Sequence, residues 1–291
     1  MRGYLITHQD CLDGATAALV GLACDLQPHF VEPDRALVAL SSLAAGDPAL
    51  PIYLADVSLE AEVFSDWKAR ISAILDHHAT ALSLAGQDNV TVDLGRAGSH
   101  LFYDYAVASG WLTPSPAWDR LVGMVERYDL WQPRHEFGQD LERLFRHFGF
   151  SWYHQRFAHG WVPYQALEAD QLALLIEQEA HFLRRNLARI HHVSTGSLDL
   201  AGLFMDEEGS VNEMSHRLLE KGYALVMAAR PDGRLSVRTD HRIDASELMS
   251  TLFAGGGHRR AAGGRRPQEI SSSEDGIDPL LARITNHLQR I

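Results

Sequence analysis

The feature that most constrains this chain is repeated. Three short apolar runs, each of strand length, stop at residue types that ligate metals. Residues 3–7 (GYLIT) lead into His8-Gln9-Asp10-Cys11-Leu12-Asp13-Gly14, residues 52–55 (IYLA) into Asp56, and residues 71–75 (ISAIL) into Asp76-His77-His78. Helical patterns separate them, at 14–25 and at 59–70, where Leu59, Val63 and Trp67 recur four apart. Strands alternating with helices predict an α/β fold with a doubly wound, mainly parallel sheet. In such a sheet the carboxyl ends of neighbouring strands open onto one crevice. Taken singly, an Asp after a strand reads as a helix cap and a His pair as incidental. Capping does not explain three strand ends that all carry imidazole or carboxylate.

Downstream, helical spacing is expected at 99–109 and 117–128. One long helix follows over 164–193, with Leu172, Leu175, Ile176, Glu179, Phe182 and Leu183 on a common face. The pattern changes at Thr195-Gly196-Ser197. Strands at 198–204, 223–230 and 234–238, helices at 211–221 and 245–253, and the stretch GGGHRRAAGG at 255–264 describe a second, smaller α/β domain. The expected organisation is a catalytic domain over 1–163, a helical connector over 164–194 and a second domain over 195–291. A chain of 291 residues that is 46% hydrophobic is long enough for two cores.

Two cysteines, Cys11 and Cys24, cannot form a disulfide framework. The amino terminus lacks the long apolar stretch of a signal peptide, and no run is long enough to cross a bilayer. A cytoplasmic protein without a membrane partner is expected. A formal net charge of −12 disfavours long duplex nucleic acid, whose affinity comes from Lys and Arg contacts to phosphate. It does not exclude small anions if the carboxylates surround divalent cations. Imidazole mixed with carboxylate suits manganese, iron or zinc better than an all-oxygen cage. A pair of such ions clamps an in-line displacement at phosphorus. No Ser/His/Asp arrangement or Walker phosphate loop competes.

Leu75-Asp76-His77-His78 resembles the signature of the DHH phosphoesterases, a superfamily of exonucleases, nano-RNases, family II pyrophosphatases and cyclic-dinucleotide phosphodiesterases. The other motifs stand in order: His8 with Asp13-Gly14, then Asp56, then Asp129 within Glu126-Arg127-Tyr128-Asp129-Leu130-Trp131. Gly255-Gly256-Gly257-His258 with Ala261-Ala262-Gly263 is similar to the glycine–histidine loop of the accessory DHHA1 domain. The resemblance spans residues 4–264. It implies two Mn2+ ions, with Mg2+, Co2+ or Fe2+ as alternatives. His8 and Asp13 would hold metal from the first strand, Asp56 would bridge, and His77 and Asp129 would complete the set. His78 would contact the phosphate and the leaving group, and Asp76 would orient its neighbouring imidazole rather than bind metal. His258, with Gly256, Gly257 and Arg259, would grip a substrate phosphate, and Arg238 would be a second anion contact.

One position departs from the pattern. Much of the superfamily carries an aspartate two residues before Asp13, where this chain has Cys11. Asp10 reaches in, or the site has one ligand fewer, or Cys11 binds directly. A subgroup opens with a similar His-x-x-Cys-x-Asp-Gly. Oxygen suits manganese better than thiolate, so Asp10 is expected to matter more than Cys11. The implied activity is hydrolysis of short oligoribonucleotides or small nucleotides, with linear or cyclic dinucleotides and polyphosphate next in order; a homodimer is left open. The rival readings are a non-catalytic nucleotide-binding protein and a zinc hydrolase, which would need a closed Cys/His cluster. Trp131, Trp152 and Trp161 could each stack a base at about 1–3 kcal/mol, but packing is the preferred reading.

Overall fold

The computed structural model describes residues 1–130, 132, 136–206 and 210–290. It divides into two compact units, Met1–Ala173 and Leu174–Ile291. In the amino-terminal unit, in chain order, lie β1 (Gly3–His8), α1 (Leu12–Ala23), β2 (Leu26–Val31), α2 (Ala36–Gly46), β3 (Ile52–Ala55), α3 (Ala61–Trp67), β4 (Ile71–Asp76), β5 (Val90–Val92), α4 (Gly98–Ala108), α5 (Pro116–Asp129) and α6 (Glu136–Phe157). The last of these is broken at Gly149, which has φ 77°. Helix α7 (Ala166–Leu187) begins in this unit and ends in the next.

The five strands form one wholly parallel sheet in the order β2-β1-β3-β4-β5. The order reverses between β1 and β3. Side chains alternate across the sheet and split its core into two layers. Leu5, Tyr53, Ala55, Ala73 and Leu75 pack with α1, α4, α5 and α6. Ile6, Ile52, Leu54, Ile71 and Ile74 pack on the other face with α2 and α3 residues such as Leu40 and Phe64. This is why the strands read as continuous apolar runs rather than alternating ones. The expected doubly wound parallel sheet is present. Two of its strands gave weak signals: β2 contains Pro28, which an edge strand tolerates, and β5 is three residues long.

In the carboxy-terminal unit lie β6 (His191–Thr195), β7 (Leu198–Phe204), α8 (Val211–Glu220), β8 (Leu225–Ala229), β9 (Arg234–Thr239), α9 (Ala245–Phe253), β10 (Gly256–Gly257), β11 (Ala261–Arg265) and α10 (Ile277–Leu288). The mixed sheet runs β10-β11-β9-β8-β7-β6, with only β7 and β8 parallel. Two apolar layers sandwich it, one with α9 and α10, the other with α8 and with Phe182 and Leu183. The long helix expected to reach residue 193 stops at Leu187. Residues 191–195 (HHVST) alternate in exposure and pair antiparallel with β7, so strand pairing overrides the helical pattern there. Among the described residues no helix is long and apolar enough to cross a membrane.

Trp131 lies outside the described residues. Trp152 and Trp161 have packing roles. The Trp161 ring stacks on Phe157 at 5.5 Å, and Trp152 Nε1–H donates to Glu168 Oε1 at 2.9 Å. The buried Glu168 carboxylate also accepts from Arg156 Nε at 2.5 Å and from the Gln165 N–H at 2.6 Å, tying the end of α6 to the start of α7. Burial opposes its charge, but these donors hold it below the usual carboxylate range. The depressed carboxyl stabilises the fold above its unfolded value and loses that effect as pH falls. Glu168→Gln should therefore lower stability by about 1.5–3 kcal/mol at neutral pH, the worth of hydrogen bonds to a charged group. In urea unfolding the gap to wild type should close as pH drops through about 4. A gap that stays constant down to pH 3 would mean that the charge contributes nothing.

Candidate metal centre

The parallel sheet sets the positions. His8 is the last residue of β1, Asp56 follows β3, and Asp76 ends β4 with His77 and His78 beyond it. These three strands flank the β1/β3 reversal, where open α/β sheets place ligands. Asp13 comes from the first turn of α1, and Asp129 is the last residue of α5. Local backbone makes the approach feasible. A Cβ on Gly14 would lie 2.1 Å from the His8 carbonyl oxygen, so only glycine lets α1 start against the end of β1. Asp56 itself has φ 60°, a left-handed conformation that costs a non-glycine residue energy and recurs at functional sites.

Within this unit three groups of ligand atoms result, each with its members within 4.8 Å of one another: His8, Cys11 and Asp56; Asp13, His77 and Asp129; and Asp56, Asp76 and His78. Asp56 joins them. Its Oδ1 lies 3.1 Å from His77 Nε2, while its Oδ2 lies 3.6 Å from His8 Nδ1 and 3.7 Å from Cys11 Sγ. His77 Nε2 is also 3.5 Å from Asp129 Oδ2 and 3.8 Å from Asp13 Oδ2. Asp13, Asp56 and His77 are buried, whereas the His8, His78 and Asp129 side chains are about one-quarter exposed. The crevice thus has a closed floor and a wet rim. Asp76 reaches the site only through the third group, beside Asp56 and His78. Its Oδ1 accepts from the His77 N–H at 2.7 Å and lies 2.7 Å from His78 Nδ1, which fixes the orientation of the pair.

The electrostatics follow from this crowding of carboxylates and imidazoles. Burial pushes the Asp13 carboxyl well up, and the nearby Asp56 and Asp129 push it further. Burial and the charge of Asp56 raise Asp129 against the opposing imidazoles of His77, His78 and His8. For Asp56, hydrogen bonds from His77 and His8 outweigh burial and hold it well below the ordinary range. Burial would lower His77, yet Asp56, Asp129 and Asp13 together push it up to about 10. A proton on His77 is the cation that these carboxylates hold in common. Divalent ions would serve the same purpose with more charge, and the imidazole–carboxylate donor set fits them.

The structure brings His8, Asp13, Asp56, His77 and Asp129 together with Cys11, and does not bring Asp10 to them. Asp10 is exposed, in a left-handed turn with φ 51°, and belongs to no ligand group among the described residues. Cys11 faces Asp56 because it is the N-cap of α1, directed by the same helix start that directs Asp13. Sequence reasoning missed Gly98 and Ser99. The N–H groups of these first two residues of α4 donate to Asp13 Oδ2 at 2.8 Å and Oδ1 at 3.0 Å. The donors are backbone, so no residue type advertised them.

The substrate-binding candidates all lie in the carboxy-terminal unit. Gly256 and Gly257 form β10 and pair with Gly263 and Ala262 of β11, whose Ala261 is in register with Arg238 of β9. His258 sits at the turn between them, its N–H donating to the Ala261 carbonyl at 2.8 Å. Arg238 donates to Asn212 Oδ1 at 2.8 Å, and the Arg259 side chain is largely exposed, 3.8 Å from Asp244.

With this geometry in view, the comparisons with known proteins become specific. No family model matches the sequence. The chain is 26% identical over 208 residues to the oligoribonuclease NrnB of Bacillus subtilis, an alignment covering 65% of this chain and 51% of that one. The chain thus spans about half the length of that curated relative. In structure it is similar to a protein described as the DHH domain of PF0399 (TM-score 0.68, 13% identity, 100% of this chain and 87% of that one). It is also similar to the pGpG-specific phosphodiesterase PggH of Vibrio cholerae (TM-score 0.62, 14% identity, 99% of each chain). A third likeness is to an exopolyphosphatase-related protein of Bacteroides fragilis (TM-score 0.54, 12% identity, 98% and 92%). The likeness to NrnB in sequence and to a DHH domain in fold agrees with the resemblance that the motifs carry.

With Cys11 in a ligand group and Asp10 exposed outside all of them, placement points the other way from ligand softness. Asp10→Asn should leave Mn2+ affinity within about twofold, whereas Cys11→Ser should weaken it about tenfold or more, the cost of disturbing a metal-site contact. Calorimetric Mn2+ titrations of the two variants check this. A larger loss at Asp10 would show that its loop folds inward when metal binds.

Proposed function

We propose that this protein is a metal-dependent phosphohydrolase acting on short oligoribonucleotides. The observation that carries the reading is Asp56, a buried carboxylate at the sheet's reversal point with one oxygen facing each of two ligand groups. A carboxylate so placed can be shared by two ions. His8, Cys11 and Asp56 would hold one, and Asp13, Asp56, His77 and Asp129 the other. When bound, a pair of divalent ions, manganese before magnesium, cobalt or iron on this donor set, supplies Lewis acidity and an activated water. The chain does the rest. Asp76 holds His78 by Nδ1, and the partly exposed His78 ring stands at the rim to donate toward a leaving oxygen.

The substrate class follows from chemistry and supporting likeness. The Bacillus subtilis relative is named an oligoribonuclease and a structural neighbour a pGpG-specific phosphodiesterase, both names of enzymes for short phosphodiesters. In the carboxy-terminal unit the β10–β11 hairpin supports phosphate recognition. A Cβ on Gly255 or Gly257 would strike the Gly263 or Ala261 carbonyl oxygen, at 1.9 and 2.7 Å, so packing accounts for those two glycines. A Cβ on Gly256 would meet nothing within 4 Å, so that position is free for the close approach of a ligand to backbone. His258 and Arg259 beside it, and Arg238 across the sheet, add donors that match phosphate. We assign chemistry to the amino-terminal unit and substrate affinity to this hairpin, in a cytoplasmic enzyme.

Turnover of short RNAs, linear dinucleotides and polyphosphate with Mn2+ supplied tests the substrate reading. RNAs of two to five nucleotides should be the preferred members, and preference for polyphosphate would overturn it. Asp56→Ala should cost several powers of ten in kcat because one carboxylate serves both ions; retention of more than a tenth of wild-type turnover at saturating Mn2+ would exclude a shared carboxylate.

His258→Ala should raise KM for oligonucleotides strongly while leaving kcat on a small chromogenic phosphodiester nearly intact, the signature of a lost binding contact. Equal kcat losses on both substrates, with metal content unchanged, would move His258 into the chemistry.

A further inference from the structure

Helix α4 starts without a side-chain cap of its own. Its N-cap is Ala97, and its first free N–H groups are taken by carboxylates from elsewhere in the unit. Gly98 and Ser99 donate to Asp13, as described. The Ala97 N–H donates to Glu126 Oε2 at 3.1 Å. Glu126 lies on α5, mostly buried, one helical turn before Asp129. The same Oε2 accepts from Arg96 Nε at 2.9 Å and lies 2.8 Å from His100 Nδ1. The corner also touches the third carboxylate, since a Cβ on Gly98 would stand 2.7 Å from the Asp56 Cα. One helix start therefore bonds Asp13, abuts Asp56 and is fastened to the helix that ends in Asp129.

We infer that Glu126 is a positioning residue for the metal centre. By anchoring the first turn of α4, it sets the spacing of Asp13, Asp56 and Asp129 without touching the site itself. Two N–H bonds fix both oxygens of Asp13, and their direction depends on where α4 begins. Glu126 determines that point through Ala97 and, by its place on α5, sets it in register with Asp129. The structural alternative is that Glu126 merely caps a helix, which would affect stability and nothing else. This inference rests on the metal-site reading above.

The test is Mn2+ binding by the full chain, followed by calorimetry and by the absorption of Co2+ as a geometric reporter, beside thermal unfolding of the metal-free protein. Glu126→Ala should weaken Mn2+ binding about 10–100-fold and alter the Co2+ spectrum, the usual cost of losing a residue that orients metal ligands. Glu126→Gln, whose amide oxygen still accepts from Ala97, should recover part of the loss and covers the case in which the alanine variant does not fold. Val125→Ala, truncating the buried neighbour on the same helix, should lower the unfolding temperature yet keep Mn2+ affinity. Wild-type affinity in a folded Glu126→Ala or Glu126→Gln variant would overturn the inference alone. So would a loss of affinity in Val125→Ala matching its loss of stability. A wild-type chain that takes up no divalent ion would overturn the metal-site reading and the inference with it.

Discussion

Three carboxylates, Asp13, Asp56 and Asp129, crowd one imidazole at the end of a parallel sheet, and two of the three are buried. Buried charge of one sign is costly unless a counter-charge or hydrogen bonds compensate it. The surrounding fold supplies both in part. His77 is pushed toward its charged form, the start of α4 supplies two N–H groups to Asp13, and Asp56 lies between the imidazoles of His8 and His77. These compensations are local and incomplete, since Asp13 and Asp129 are still pushed toward their neutral forms. A partner carrying more positive charge than a proton would compensate this arrangement more fully.

The sheet makes such crowding possible. A parallel sheet covered on both faces buries its strands in two apolar layers, so the strand ends are held rigidly and their residues need not contribute to the core. The reversal of strand order between β1 and β3 leaves a gap between the helices on the two faces, and the ligands project into it. The cost appears in the backbone, with Asp56 in a left-handed conformation against Gly98. A strained aspartate pressed by a glycine is what a rigid frame imposes when a carboxylate has to point between two groups rather than toward solvent.

Much of this was legible in the sequence because the ligands follow directly on strands. A run such as ISAIL fixes where β4 ends, and the residues after it inherit their position from the sheet. Asp10 and Cys11 were not resolvable in that way. Which of two adjacent residues faces the crevice depends on the residue at which α1 begins, and that boundary is the least certain part of a sequence reading. The start at Leu12 turns Cys11 inward and Asp10 outward. Gly98, Ser99 and Glu126 were invisible for a different reason: they act through or upon backbone N–H groups, which every residue has. The strand at His191–Thr195 was hidden because a helical pattern of apolar residues runs up to it, and only pairing with β7 distinguishes the two states.

Charge distribution extends the argument from the site to the molecule. The amino-terminal unit carries about twice as many acidic as basic residues, while the carboxy-terminal unit is nearly balanced, with an arginine-rich stretch at Arg259, Arg260, Arg265 and Arg266. On the proposed function, an anionic substrate would be repelled by the first unit unless its carboxylates were neutralised, so metal occupancy would govern substrate approach as well as reaction. The proposed phosphate contact at the basic hairpin carries no such condition and would not depend on metal. Under that division of labour, affinity and chemistry would respond to different variables, ionic strength for the hairpin and divalent-ion concentration for the sheet end.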